Sequence, residues 1–316
     1  MGQQARPPRP EELVNALEFE EAAKLTLPPA MFATIAGSDR AAFDRMTFQP
    51  RMMVPVLDMD LSVELLGETL FTPILVGPVA DQRRYHADAE LATVRGASAA
   101  RAAMIVSSRS SAPIGAIAAQ AKTPLWYAVS PDANARTQIA QAVAAGCKAV
   151  FITAGASEQP GSRPRPTAID WKAIEAIRRG LDVPVVLKGV MTPQQATTAI
   201  DAGMRGVVVS DYGGVVSGKP APIEVLASIV DACAGKAAVL IDGSFRRGSD
   251  ITKALVLGAR AVLLARPVMW GLAAYGAGGV QTIIEMLQSD LGRNMGALGA
   301  SNLNSLNRDM VRIHRR

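Results

Sequence analysis

Arg246 and Arg266 are the side chains in this sequence best suited to hold a phosphate. The first lies in Asp242-Gly243-Ser244-Phe245-Arg246-Arg247-Gly248 and the second in Leu264-Ala265-Arg266-Pro267. A guanidinium presents a planar fork of N–H groups that matches phosphate oxygens. Gly243 and Gly248 let backbone N–H groups approach an anion. Ser249 and Asp250 then open a helix, and Arg247 reads as a solvated neighbour. Lys188 ends the apolar run VPVVL, so its ammonium is expected at the mouth of the fold, where a buried cation requires partners.

The elements that must position these groups repeat along the chain. Eight β-branched apolar runs are expected as strands: 73–78, 103–108, 124–130, 148–155, 183–189, 205–211, 237–243 and 260–266. Runs this apolar suit strands buried on both faces of a parallel sheet. Ala-rich amphipathic stretches between them read as helices at 87–101, 113–121, 134–145, 170–180, 192–202, 222–233 and 248–258. Thr192 is expected as an N-cap with Pro193 in the first turn. Eight such units are what an α/β fold of the (β/α)8 TIM-barrel type requires. An open doubly wound sheet also alternates strand and helix, but no GxGxxG follows the first strand. Phosphate sites in barrels recur in the loops after strands 7 and 8, where Arg246 and Arg266 fall. A single domain is expected, with an N-terminal helical and extended cap over 1–70, the barrel over 72–270, and a last helix and tail over 271–316.

Composition bounds the partners. The 316 residues are 49% hydrophobic and carry a net charge of +5, a modest excess that suits a small anionic ligand. No basic run with interleaved aromatics points to nucleic acid. No run approaches the length of a membrane span, and the polar, proline-rich N-terminus has no signal-like apolar stretch. Cys147 and Cys233 lie in apolar settings and read as buried thiols of a reducing compartment. A cytoplasmic protein is therefore expected. The two histidines, His86 and His314, are far apart, and no metal site is expected. Ser107 to Ser111 is hydroxyl-rich around Arg109 but has no histidine in sequence reach, so serine catalysis has no support.

At these residues the sequence resembles the FMN-dependent α-hydroxy-acid oxidase/dehydrogenase family. The resemblance runs through 41–53, 60–80, VLKGV (186–190), VSDYGG (209–214) and, most specifically, 240–268. It implies FMN as cofactor, hydride transfer from a substrate carbon to flavin N5, and a homo-oligomer of four or more chains. It also implies that Pro78, Val79 and Ala80 meet the flavin ring, and that Ser107 or Ser108, Tyr127 and Thr153 contact it. Lys188 and Ser210 match the lysine and serine beside the ring. A fixed cation near the N1–C2=O edge would stabilise the anionic reduced form. Asp242, Gly243, Ser244, Arg246, Ala265 and Arg266 match the ribityl-phosphate cradle.

The substrate half departs from the family. Its Ser-Asn-His-Gly-(Ala/Gly)-Arg string, holding the base and the carboxylate clamp, reads here Ser210-Asp211-Tyr212-Gly213-Gly214-Val215. Its Tyr-Tyr-Ala-Ser-Gly string corresponds to Met31-Phe32-Ala33-Thr34. Its Gln-x-Tyr on strand 3 corresponds to Tyr127-Ala128-Val129, and its tryptophan after strand 2 to Arg109. The loop after strand 4 (155–166) is shorter. Tyr212 is then the candidate donor or base, and Arg109 the candidate anion clamp, with Arg163 and Arg165 behind it. Asp81 is a further candidate base, and His86 reads as structural. The reading is an FMN-dependent oxidoreductase with a remodelled substrate site and a non-standard small-molecule donor. Two alternatives stay open: an FMN-binding protein without hydroxy-acid turnover, and a flavin-using isomerase of a phosphorylated metabolite.

Overall fold

All eight expected strands form, and they close on themselves. A computed structural model describes residues 7–37, 39–51, 54, 56, 58–157, 165–213 and 219–314. The barrel strands, numbered one to eight, are Ile74–Val76, Met104–Ser107, Leu125–Val129, Val150–Thr153, Val185–Val190, Gly206–Val209, Ala238–Asp242 and Ala261–Leu264. Each pairs in parallel with the next, and strand eight returns to strand one through Val262–Ile74 and Leu264–Val76. Helices such as Ala89–Ala99, Pro193–Asp201 and Gly248–Val256 connect them. Thr192 caps its helix as expected: Oγ1 accepts from Gln195 N at 3.2 Å, with Pro193 in the first turn.

The two-residue period of a strand decides what fills the barrel. Leu75, Ile105, Trp126, Phe151, Val186, Val208, Leu240 and Leu263 point inward as one buried layer. Their neighbours, among them Val76, Val106, Tyr127, Ile152 and Val209, pack outward against the helices. A fully buried side chain of this kind contributes about 1.5–3 kcal/mol. A hairpin, Val63–Leu65 with Glu68–Leu70, closes the other end by packing Val63, Leu65 and Leu70 on the same inner layer.

The ends of the chain differ from the sequence expectation. The last helix begins directly after strand eight, at Arg266, and runs to Ala297 with Pro267 in its first turn. The sequence places the last helix and tail over 271–316, so the helix starts five residues earlier than expected, and Gly276 (φ 60°, ψ −138°) kinks it. A Cβ at Gly276 would meet His86 Nε2 at 3.0 Å. The cap contains helices Ala16–Thr26, Pro29–Ile35 and Ala41–Asp44. Its strand Met46–Phe48 then pairs antiparallel with Val311–Ile313 of the tail. No local pattern discloses a pairing between segments that far apart in sequence. Among the described residues, no helix is long and apolar enough to cross a membrane.

Candidate functional site

Two residues beyond the inner apolar layer, the same inward face carries the chemistry. Those positions are Gly77, Ser107, Ala128, Thr153, Lys188, Ser210, Asp242 and Ala265. Around them opens a cavity of about 470 Å³ at the C-terminal ends of the strands. Pro78, Val79, Ala80, Ser107, Ser108, Thr153, Lys188, Asp242, Gly243, Ser244, Arg246, Ala265 and Arg266 line it. Ser210 sits behind Lys188, buried. Tyr127 does not reach the cavity, which corrects its expected role. The strand alternation turns its ring into the outer layer with Val129 and Val150, and Ala128 takes the cavity side. Burial there pushes the Tyr127 hydroxyl pKa up, with Cys147 adding to it.

Lys188, 6% exposed, is held on several sides. Its Nζ donates to Ser210 Oγ at 2.7 Å and Asp242 Oδ2 at 2.5 Å, and lies 4.4 Å from the Tyr212 ring centroid. Tyr212 has a left-handed backbone (φ 58°) and donates its hydroxyl to the carbonyls of Ala154 and Lys188. Asp211 accepts from Gly213 N at 2.9 Å; burial raises its pKa, and the negative charge of Asp242 raises it further.

Arg246 and Arg266 meet on the cavity wall after strands seven and eight. Arg246 is 3% exposed, with its guanidinium 4.4 Å over Trp270. It donates to the Phe245 carbonyl at 2.7 Å and, with Arg266, to the Gly37 carbonyl. Burial pushes the Arg246 pKa down to about 9, and the like charge of Arg266 is the next cause. Arg246 Nε is buried without a hydrogen-bond partner, and so is Asp242 Oδ1. Two converging cations with a spare N–H suit a phosphate. A spare carboxylate oxygen two strand ends from Lys188 suits a polyol hydroxyl. The residues present therefore fit a phosphorylated flavin. Arg247 is exposed, as expected.

Asp250 builds the turn beneath the cradle. Fully buried, it accepts from Arg246 N at 2.9 Å, Arg247 N at 3.0 Å and Arg40 Nη2 at 2.7 Å. Asp250→Asn weakens the charge-assisted bonds and sets an NH2 group against a donor. The expected loss is about 2 kcal/mol of unfolding free energy, read by urea denaturation; an unchanged midpoint would contradict it.

The other candidates separate. Arg109 is exposed at the cavity mouth, where its N–H donates to Ser107 Oγ at 3.2 Å. Asp81 also lines the cavity, and its left-handed backbone (φ 49°) precedes a short turn of helix. His86 accepts from Asp88 N at 3.1 Å and packs on Gly276. His314 pairs with Thr47 at 2.8 Å, on the sheet joining cap and tail. Phe32 packs on the core, whereas Thr34 lines the cavity and meets Tyr85 Oη at 3.0 Å. Arg163, Gly214 and Val215 lie outside the described residues, as does the side chain of Arg165.

Sequence reasoning missed Glu90. It is fully buried and accepts from Gln82 N (3.1 Å), Ser111 N (3.0 Å), Ser111 Oγ (3.2 Å) and Ala112 N (3.2 Å). It thereby laces the loop after strand one to the loop after strand two. Its only local signal is a carboxylate in an Ala-rich helix.

Comparison with known proteins gives the family of the chain. Residues 33–166 and 154–313 match the family of FMN-dependent dehydrogenases. The chain is 31% identical to a peroxisomal (S)-2-hydroxyacid oxidase of Arabidopsis thaliana, over 96% of this chain and 97% of that one. It is 32% identical to the 4-hydroxymandelate oxidase of Amycolatopsis orientalis, over 93% and 97% respectively. It is 31% identical to an L-lactate oxidase of Nostoc, over 95% and 98%. Among solved structures, a mandelate oxidase variant with (S)-mandelic acid superposes with a TM-score of 0.88 at 32% identity, covering 96% of this chain and all of that one.

Proposed function

Since the chain belongs to the FMN-dependent dehydrogenase family, we propose that it oxidises a CH–OH donor other than the small 2-hydroxy acids, through a remodelled substrate site. It is an FMN-dependent oxidoreductase. FMN, when bound, supplies the acceptor for a hydride from the substrate carbon. Arg246 and Arg266 would hold its phosphate, with Gly243, Ser244 and Ala265 around it. Asp242 would take a ribityl hydroxyl. Pro78, Val79 and Ala80 would pack against the ring, and Ser107, Ser108 and Thr153 would meet its polar edge. Lys188, backed by Ser210, would face the N1–C2=O edge. Arg109, at the cavity mouth, is the cation we assign to an anionic part of the substrate.

The observation that carries this reading is the convergence of Arg246, Arg266 and Lys188 on one cavity, with Arg246 Nε and Asp242 Oδ1 buried and unsatisfied. The test is a titration of the purified chain with FMN, followed by flavin fluorescence and visible absorbance. Uptake of one FMN per chain is expected; no uptake would refute the assignment. A second reading, flavin binding without turnover, draws on the commitment of the Tyr212 hydroxyl to two backbone carbonyls. It predicts a loaded protein that no alcohol reduces.

We also propose a cytoplasmic homo-oligomer of four or more chains. The cellular assignment is supported by the two buried, unpaired cysteines, Cys147 and Cys233. The assembly follows the resemblance, and light scattering on the loaded protein tests it.

A further inference from the structure

We propose that Tyr212 is a positioning residue for Lys188 rather than an acceptor of the substrate's proton. This rests on the flavin-binding reading above, and it assigns the tyrosine through what its two ends touch. At one end the hydroxyl donates to the carbonyls of Ala154 and Lys188, at the tips of strands four and five. Along its side the ring lies 4.4 Å from the Lys188 ammonium. One residue thus grips Lys188 by its backbone and by its charge.

Three features support a built strut. Tyr212 adopts φ 58°, a conformation disfavoured for a bulky L-residue and retained where surrounding contacts over-determine it. Gly189, at φ 112°, leaves the space the hydroxyl fills: a Cβ there would overlap both Tyr212 Oη and the Ala154 oxygen. The Tyr212 N–H also donates at 3.2 Å to Ser210 Oγ, the hydroxyl that receives Lys188 Nζ. Tyr212 therefore braces the lysine directly and through Ser210.

The same geometry argues against a base at this position. The phenol proton is shared between two carbonyl oxygens. Its removal would set a phenolate against both oxygens, and these two hydrogen bonds favour the neutral form. What Tyr212 controls is where the Lys188 cation stands, and so how well the chain stabilises negative charge on a reduced ring.

The test is the midpoint potential of the FMN-loaded protein, with FMN affinity measured alongside. Tyr212→Leu removes both grips. It is expected to weaken stabilisation of the reduced flavin about tenfold, a fall of about 30 mV for a two-electron couple. Tyr212→Phe keeps the ring but frees the two carbonyls. About a threefold effect, roughly 15 mV, is expected, and this variant decides the matter if the leucine variant does not fold. A wild-type potential in a folded, loaded variant overturns the proposal. So does a Tyr212→Phe protein that keeps the potential and loses reduction by an active donor, because the phenol would then act on substrate. Failure of the wild-type chain to take up FMN refutes the flavin-binding reading instead.

Discussion

Arg246→Met is expected to lower FMN affinity by at least about a hundredfold without unfolding the chain. Removing one partner of a buried charged contact costs about 3–5 kcal/mol, and each 1.4 kcal/mol is tenfold in Kd. The side chain is 3% exposed, lines the cavity with Arg266, and its Nε is buried without a hydrogen-bond partner. In the flavin-free chain that charge is a burden. The folded state holds the Arg246 proton less tightly than the unfolded state, with the pKa lowered to about 9 by burial and by Arg266. The penalty is therefore fully present below pH 9. It is relieved as pH rises above about 9, where the unfolded chain still carries the proton. Methionine removes the charge, retains much of the stacking on Trp270, and leaves the Asp250 turn intact. The flavin-free variant should melt within a few degrees of wild type while fluorescence titration shows the affinity loss. A variant that binds FMN as wild type does would move the phosphate away from this cradle.

L-lactate, glycolate and mandelate, offered without oxygen, are expected to leave the visible flavin band largely intact. Loss of a general base costs about 10²–10⁴-fold, and this chain has Tyr212 where the resembling family has its histidine. The phenol is an unsuitable replacement, with its proton engaged by the Ala154 and Lys188 carbonyls. Val215 stands at the sequence position of the carboxylate clamp and can form no ion pair. The chain's two histidines offer no substitute: His86 packs on Gly276 and His314 on Thr47. Stopped-flow reduction measured beside a mandelate oxidase gives the comparison. Bleaching within tenfold of that enzyme would mean that hydroxy-acid chemistry proceeds through other groups, and Arg109 and Asp81 at the cavity mouth would be substituted next.

Much of this molecule was legible before folding because its signals are local. A strand buried on both faces needs an unbroken apolar run, so eight such runs mark eight barrel strands. A phosphate cradle needs glycines and arginines within one turn, and residues 242–248 contain both. Lys188 could be placed at the barrel mouth because it ends an apolar run by one residue.

What required the tertiary structure was every property set by facing or by distant partners. Tyr127 and Ala128 are adjacent in sequence, yet only one reaches the cavity, because a one-residue step on a strand reverses the face. Glu90 becomes a brace only when two loops close over the start of its helix. The cap and the tail meet across residues 46–48 and 311–313, a separation no local periodicity spans. Tyr212 illustrates the difference most directly. Residue type and position identify a phenol where a base is expected. The two carbonyls that capture its hydroxyl come from the ends of strands four and five, and the parallel pairing of those strands is what brings them together.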